Sequence, residues 1–208
     1  MIGEINLFII LAAALIGAGS PGPSNLAIAG TSMNGGRRFG VALALGITTG
    51  SWIWSIAAAF GLGAVMLANA WAFEVLRYFG ACYLLFLAYK SARSAMTAEV
   101  SKSNYSVAST LPASYAKGLA LHLTNPKAIF FFGSLFSIGV PVGSSAMDLA
   151  IVICAVGIQS SLIFVGYALL FSSPAMVAGY TKLRRWFEGV FAVAFALAGL
   201  KVLTARMS

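Results

Sequence analysis

Long apolar stretches recur along the whole chain and are separated by short polar connectors. Each stretch is long enough to cross about 30 Å of hydrocarbon at roughly 1.5 Å per residue, whereas a helix in a soluble core is usually shorter. The pattern predicts six transmembrane helices, at about 5–33, 39–69, 71–92, 115–140, 147–171 and 187–205. We therefore expect an all-α integral membrane protein with a single transmembrane domain over residues 1–208.

A longer polar connector, at about 96–114, divides the six predicted helices into two halves of three. The first half covers about 1–95 and the second about 115–208. Because each half crosses the membrane an odd number of times, the second half must enter it in the opposite sense. This organisation predicts a 3+3 inverted repeat whose long connector lies in the cytoplasm.

Prolines interrupt the first predicted helix of each half. Pro21 and Pro23 lie in the sequence SPGPSN (20–25), and Pro126 lies in LTNPKA (123–128). Because proline has no N–H and clashes with the preceding turn, the carbonyl four residues earlier loses its helical donor. These carbonyls belong to Gly17, Gly19 and His122. An unpaired carbonyl costs several kcal/mol in hydrocarbon, so both breaks predict a polar cavity.

Each break also begins a new half-helix whose N-terminus carries partial positive charge and free N–H groups. Asn125 is suited to cap the second half-helix, and Lys127 adds a full positive charge beside it. The freed carbonyls are acceptors for an ammonium group, so the pattern predicts a site for a small zwitterion. The predicted substrate-binding residues are Pro21, Gly22, Pro23, Ser24, Asn25, Thr124, Asn125, Pro126, Lys127 and Gln159.

Plainer interpretations of these residues stay open. A proline in a transmembrane helix is often only a kink that neighbouring helices tolerate. Lys127 would then extend along its aliphatic stem to a membrane surface, and His122 would be a packing or capping residue. Two breaks at comparable places in the two halves favour the cavity. Gln159 is included because an amide within a transmembrane helix is expensive unless it has a role.

If the site moves a solute across the membrane, one residue should couple that movement to an energy source, and the sequence identifies this residue less directly. Asp148 and Glu188 lie near the starts of predicted helices, where a carboxylate is favourable, so both are interpreted as capping residues. No acidic residue is predicted deep within a helix. His122, the only histidine, is therefore the candidate coupling residue. Protonation of the substrate, or movement of its charge, are the alternatives.

Glycines recur at four-residue spacing in the second predicted helix. Gly36 and Gly40 form one such pair, and Gly46 and Gly50 form another. Small residues at this spacing allow helices to approach closely. The same smooth faces would also allow one helix to slide on another during transport.

Composition and charge narrow the class of protein. The chain is 60% hydrophobic and 9% charged, so it lacks the polar surface of a soluble domain. Most Lys and Arg residues lie in the first, third and fifth connectors, which places both termini outside and excludes a nucleic-acid partner. These basic residues are Arg37, Arg38, Lys90, Arg93, Lys102, Lys117, Lys182, Arg184 and Arg185. No metal, cofactor or catalytic motif is predicted, so we expect no enzymatic activity.

Four segments carry a resemblance to a known family. SPGPSNLAIAGTSMNGGRRFGVALALGITTG, LRYFGACYLLFLAYKSARSA, KGLALHLTNPKAIFFFGSLF and RRWFEGVFAVAFALAGLKVL occur in this order over nearly the whole chain. Together they resemble the LysE/RhtB family of bacterial amino-acid exporters. The family's P-G-P motif falls on residues 21–23 and its N-P-K motif on residues 125–127.

The resemblance implies a multi-pass protein of the bacterial cytoplasmic membrane. It would export small amino acids or their analogues by alternating access, driven by the proton gradient. The wider superfamily includes metal-ion exporters, so export of a metal ion or another small solute is one alternative. An accessory membrane protein without transport activity is another. The expected partners are an amino-acid substrate, membrane lipid and, as an option left open, a second copy in a homodimer.

Overall fold

The computed structural model describes residues 5–68, 70–96, 107–141 and 143–204. This part of the chain forms eight helices and no strand, which confirms the all-α prediction. The helices are α1 (Leu7–Gly19), α2 (Pro23–Gly35), α3 (Arg37–Ala68), α4 (Ala70–Met96), α5 (Leu111–Leu123), α6 (Pro126–Gly139), α7 (Ala146–Leu170) and α8 (Pro174–Thr204).

Both predicted helix breaks are present in the structure. Helix α1 ends at Gly19, and α2 begins at Pro23 after a bend of 51°. Helix α5 ends at Leu123, and α6 begins at Pro126. Each second helix starts with proline at its first position, where the missing N–H costs no helical hydrogen bond.

Two helices are long and apolar enough to cross a membrane by the usual criteria of length and hydropathy. Their spanning segments are Arg37–Gly61 in α3 and Ala146–Leu170 in α7. The bent pair of α1 and α2 gives a third span if it is counted as one broken helix. These criteria apply to the described residues, and the six-helix inverted repeat stays a prediction.

Helix α8 begins well before the predicted start at residue 187. The basic residues that suggested a connector bind the C-terminal end of α4 instead. Arg184 Nη2 lies 2.8 Å from Ser94 Oγ, and Arg185 Nε donates to the carbonyl of Ala95 at 2.9 Å. Cations near the last carbonyls of a helix are favourable, so these side chains stabilise the packing of α8 against α4.

This change of boundary corrects the interpretation of Glu188. The residue lies in the middle of the 31-residue helix α8, so it cannot cap a helix N-terminus. The expectation that no acidic residue lies deep within a helix is therefore wrong for Glu188. Asp148 behaves as predicted, because it forms a capping box with Ser145 at the start of α7.

Gly46 and Gly50 of α3 allow close helix packing, as their spacing predicts, whereas Gly36 lies before α3 at a φ of 81° and has no neighbour within 4 Å of the position of a Cβ atom. A Cβ atom at Gly46 would clash with the carbonyl oxygen of Tyr115, and one at Gly118 would clash with that of Leu43. Helices α3 and α5 thus meet backbone to backbone. A Cβ atom at Gly50 would lie 3.0 Å from the Cβ atom of His122, so this glycine leaves space for the histidine. The second break is held against α3 in this way.

The apolar core lies where α1, α3, α6 and α7 meet, and a second cluster joins α4 to α8. The first cluster includes Ile10, Phe132, Phe136, Val152 and Val156. The second includes Ala81, Leu84, Leu87, Ala88 and Phe195. A further cluster of α2, α3 and α7 includes Ile28, Leu43 and Phe164, and Ala18 and Leu121, which lie beside the two breaks, pack against it.

Candidate functional site

The two helix breaks face each other across a small cavity. Ser24, in the first turn of α2, accepts a hydrogen bond of 3.1 Å from the side-chain amide of Asn125, the N-cap of α6. This contact joins the halves of the chain across 101 positions of sequence. The predicted residues that line the cavity are Gly22, Ser24, Asn25, His122, Asn125 and Lys127.

Lys127 places a basic side chain inside the protein. Its side chain is only 8% exposed, and its ammonium donates to the carbonyl of Ser20 at 2.8 Å and to the Ser20 hydroxyl at 2.5 Å. The side chain therefore turns inward to the first break and does not extend to a membrane surface. The C-terminal end of α1, whose last carbonyls lack helical donors, attracts a cation. In this structure the cation is the protein's own lysine.

The carbonyls freed at the first break all have donors within the protein. The Ser20 hydroxyl donates to the carbonyl of Gly17 at 3.1 Å, and the Tyr167 hydroxyl on α7 donates to that of Gly19 at 2.6 Å. The loss of helical donors predicted from Pro21 and Pro23 is thus real, and other helices compensate it. These carbonyls are consequently occupied acceptors.

Asn25 supplies an acceptor that is still free. Its side-chain amide nitrogen donates to the carbonyls of Ala18 and Ser20, at 2.7 and 2.8 Å, which fixes the orientation of the group. The residue is 4% exposed, and its Oδ1 has no hydrogen-bond partner among the described residues. A buried acceptor without a partner costs about 1–3 kcal/mol. Because Asn25 lines the cavity, its Oδ1 is suited to accept a hydrogen bond from a ligand.

His122 lies at the end of α5 with both ring nitrogens engaged. Nδ1 is 2.9 Å from Ser24 Oγ, and Nε2 is 3.3 Å from Ser51 Oγ on α3. Its carbonyl, freed by Pro126, accepts from the Trp54 indole at 3.3 Å. The histidine is therefore a hydrogen-bonded part of the cavity wall, and the two serines connect it to α2 and α3 of the first half.

The N-termini of the two half-helices differ in how they are capped. Asn125 Oδ1 accepts the backbone N–H of Lys127 at 3.0 Å and so caps α6. Gly22, the N-cap of α2, has no side chain to do this. A Cβ atom there would lie 2.9 Å from Lys127 Cδ, so glycine leaves the first turn of α2 open to the lysine. Uncapped N–H groups beside a basic side chain are a favourable environment for an anion.

The cavity is small in this conformation. It offers about 30 Å³ to the centres of water molecules, each of which needs at least about 10–15 Å³. Three aromatic rings close its apolar side, those of Phe131, Phe132 and Phe164. The ring of Phe131 lies in the space that a side chain at Gly17 would need. This space suits about two or three water molecules, fewer non-hydrogen atoms than any amino acid has.

Some predicted site residues do not line the cavity. The prolines at 21, 23 and 126 shape the breaks without reaching it. Thr124 is exposed and hydrogen-bonds the carbonyl of Ala120 at 2.9 Å, so it closes the end of α5. Gln159 donates to the carbonyl of Leu11 at 3.0 Å and ties α7 to α1. Its neighbour Ser160 lines the cavity instead.

The sequence interpretation missed Phe131 and Tyr167. Phe131 follows Lys127 by one helical turn, which is the signal that would have found it. Tyr167 comes from α7, and no local pattern indicates that its side of the helix meets the first break. Its role depends on how α7 packs against α1.

Comparison with known proteins gives consistent results. A family model described as LysE type translocator matches residues 15–206. A threonine efflux protein of Salmonella typhi is 30% identical over 190 residues, which cover 90% of this chain and 92% of that protein. A threonine efflux protein of Escherichia coli K12 is 31% identical over 193 residues, with the same coverage. A leucine efflux protein of Klebsiella pneumoniae is 30% identical over 185 residues, or 88% of this chain and 85% of that protein. No solved structure matches the chain significantly.

Proposed function

The chain belongs to the LysE type translocator family, and from this premise and the geometry of the cavity we propose that it exports a small amino acid. It would act as a secondary transporter in the bacterial cytoplasmic membrane, by alternating access and at the expense of the proton gradient. The related efflux proteins are transporters of threonine and leucine by name, which supports an amino-acid substrate and a role other than catalysis.

The observation that carries the proposal is the combination of a buried ammonium, an open helix N-terminus and a free amide oxygen on one cavity wall. The substrate carboxylate would bind Lys127 Nζ and the first N–H groups of α2, where positive charge collects. The substrate ammonium would donate to Asn25 Oδ1. The free carbonyls expected from the sequence already have partners, so Asn25 takes their place in this scheme.

Alternating access is supported by the small size of the cavity, because a substrate enters only if the walls separate. We propose that the bent pair α1–α2 and the pair α5–α6 are the first spans of two inverted three-span halves. The basic connectors then orient both termini outward. Lipid surrounds the helices in this arrangement, and a homodimer is compatible with it.

The positive charge of Lys127 argues against the alternative of metal-ion export. A cation in this cavity would meet a buried ammonium, and none of the described lining residues is a carboxylate that could offset the repulsion. A neutral zwitterion avoids this cost because its own carboxylate faces the lysine. The same site therefore favours an amino acid over a metal ion.

Counterflow in proteoliposomes tests the proposal. Vesicles loaded with unlabelled threonine or leucine should take up the same radiolabelled amino acid by exchange, and vesicles loaded with a divalent metal salt should not. Lys127→Ala should lower exchange about 100-fold or more, because the substrate carboxylate loses the buried lysine that binds it. Lys182→Ala, which removes an exposed lysine of α8, is the matched control and should exchange like the wild type.

Absence of exchange with threonine, leucine and other small amino acids in folded wild-type protein would contradict the transporter function. It would favour the accessory-protein alternative. Normal exchange by Lys127→Ala would instead leave a transporter with a different binding site.

A further inference from the structure

Glu188 is a buried carboxylate that the binding scheme above does not use. It lies in the middle of α8 and is 4% exposed, whereas Asp148, the other acidic residue with a described side chain, is only partly buried. A carboxylate enclosed by apolar helices is costly, so its retention indicates a specific task.

The carboxylate is held by the neighbouring helix α4. Ser94 Oγ donates to Glu188 Oε1 at 2.8 Å. Arg184, one turn earlier on α8, donates to the same Ser94 hydroxyl at 2.8 Å. The acidic group thus has a defined orientation, and a cation lies at one end of its hydrogen-bond network.

The face of α8 that carries Glu188 also contacts the candidate site. Phe191, nearly one turn later, lies beside Gly19 at the first break, where a Cβ atom would be 3.8 Å from its ring. Phe195, two turns after Glu188, has its ring centroid 5.9 Å from Lys127 Nζ. Residues at this spacing share one side of a helix, so the carboxylate and the break contact the same stripe of α8.

Glu188 and Lys127 carry opposite charges in a surrounding of low polarity, and each charge acts on the other. Among the described residues, Arg184, Tyr167 and Tyr180 also lie within electrostatic reach of Glu188, and Lys90 of α4 lies within electrostatic reach of Lys127. Tyr167 is the residue that donates to the carbonyl of Gly19 at the first break. A change of charge at Glu188 therefore changes the electrostatic environment of Lys127, which hydrogen-bonds Ser20 at the first break.

We propose that Glu188 carries the proton that couples export to the proton gradient. This inference rests on the proposed function and names the coupling group that sequence reasoning assigned to His122. In the substrate-loaded site, Lys127 is positive, Glu188 is negative and the zwitterion adds no net charge. On the outer side Glu188 takes up one proton, the substrate leaves, and the empty site returns with one net positive charge.

The return step is completed on the cytoplasmic side, where Glu188 releases its proton and regains its negative charge. The cycle exchanges one proton for one amino acid and carries one positive charge inward. The inside-negative membrane potential therefore drives it. A permanently neutral residue at position 188 should therefore affect two activities differently. Exchange of substrate for substrate requires no proton and should continue, whereas net accumulation requires proton transfer and should be lost.

The test compares Glu188→Gln with the wild type in two assays on proteoliposomes, using radiolabelled threonine or leucine, whichever the wild type exchanges. Glutamine keeps the shape and the acceptor for Ser94. Counterflow without a pH gradient should stay within about threefold of the wild type, and its rate should no longer depend on pH. Accumulation driven by an imposed pH gradient should fall about tenfold or more.

Two further variants complete the design. Glu188→Asp keeps an ionisable group and should restore gradient-driven accumulation at least in part, with a displaced pH dependence. Asp148→Asn is the matched control, because it neutralises the acidic residue of a helix cap, and it should alter neither assay beyond about twofold.

Gradient-driven accumulation by Glu188→Gln at the wild-type level would overturn the inference. Loss of counterflow together with accumulation in folded Glu188→Gln would also overturn it, because the residue would then serve binding or structure. If Glu188→Gln does not fold, an unchanged pH dependence of Glu188→Asp overturns it. Failure of wild-type counterflow is a separate outcome that removes the proposed function, and the coupling role with it.

Discussion

The break between α1 and α2 and the break between α5 and α6 differ in how the half-helix after each break is capped and in which groups reach the break from other helices. At the second break Asn125 caps the N–H of Lys127, Thr124 closes the end of α5, and the Trp54 indole donates to the carbonyl of His122. At the first break α2 has no side-chain cap, and two of the donors come from far along the chain. Tyr167 donates to Gly19 across 148 positions, and Lys127 donates to Ser20 across 107.

This difference shows which break can respond to a ligand. A break that is capped by its own residues keeps its geometry when its surroundings move. A break that depends on side chains from other helices changes when those side chains find another partner. The ammonium of Lys127 can leave Ser20 for a substrate carboxylate, so we expect the first break to move and the second to serve as its support.

The largest effect is expected from Asn25→Leu, which keeps the size of the side chain but removes its polar groups. The first break then loses two hydrogen bonds and the free acceptor on the cavity wall. Counterflow should fall about 100-fold or more. Asn34→Leu replaces an exposed asparagine of the same helix and should leave counterflow intact. Equal effects of the two variants would remove Asn25 from the site.

A smaller effect, on stability, is expected from Tyr167→Phe. The carbonyl of Gly19 loses the donor from α7, and the free energy of unfolding should fall by about 1–3 kcal/mol. Thr124→Val is the matched variant at the second break, where the carbonyl of Ala120 keeps the backbone N–H of residue 124 as a donor. It should cost about 0.5 kcal/mol or less. Unfolding in mixed micelles, followed by tryptophan fluorescence, would measure both, and equal costs would contradict the asymmetry of the breaks.

The smallest effect is expected from Asn125→Ala, which removes the cap of α6. Stability should fall by about 1 kcal/mol, while counterflow should remain within about threefold of the wild type. Asn125→Asp retains a capping oxygen and should recover most of the stability. If Asn125→Ala abolished counterflow in folded protein, the second break would bind substrate directly and would be more than a support.

The positions of both breaks could be predicted because the rule that produces them is local. Pro21, Pro23 and Pro126 each remove a donor from a carbonyl four residues earlier, whatever the rest of the chain does. The same kind of rule located Asn125 as a cap and Asp148 in a capping box. Such interactions join residues within a few positions of one another, so one sequence is enough to see them.

Glu188 and Gln159 show why other predictions differ from the structure. Glu188 looked like a capping residue because basic residues precede it, and those residues instead bind the end of α4, so the helix continues through them. Gln159 looked like a cavity residue because it is polar, and its amide reaches α1 instead. In both cases the partner lies on a helix distant in sequence.

The sequence by itself determined that the chain is helical and apolar, where two of its helices break, and to which family it belongs. Only the tertiary structure decided that Lys127 turns back to Ser20, that Tyr167 completes the first break, and that Glu188 is buried against α4. The physical reason is one of range. Backbone geometry is set by neighbours along the chain, whereas the partner of a buried polar group is set by which helix faces pack together.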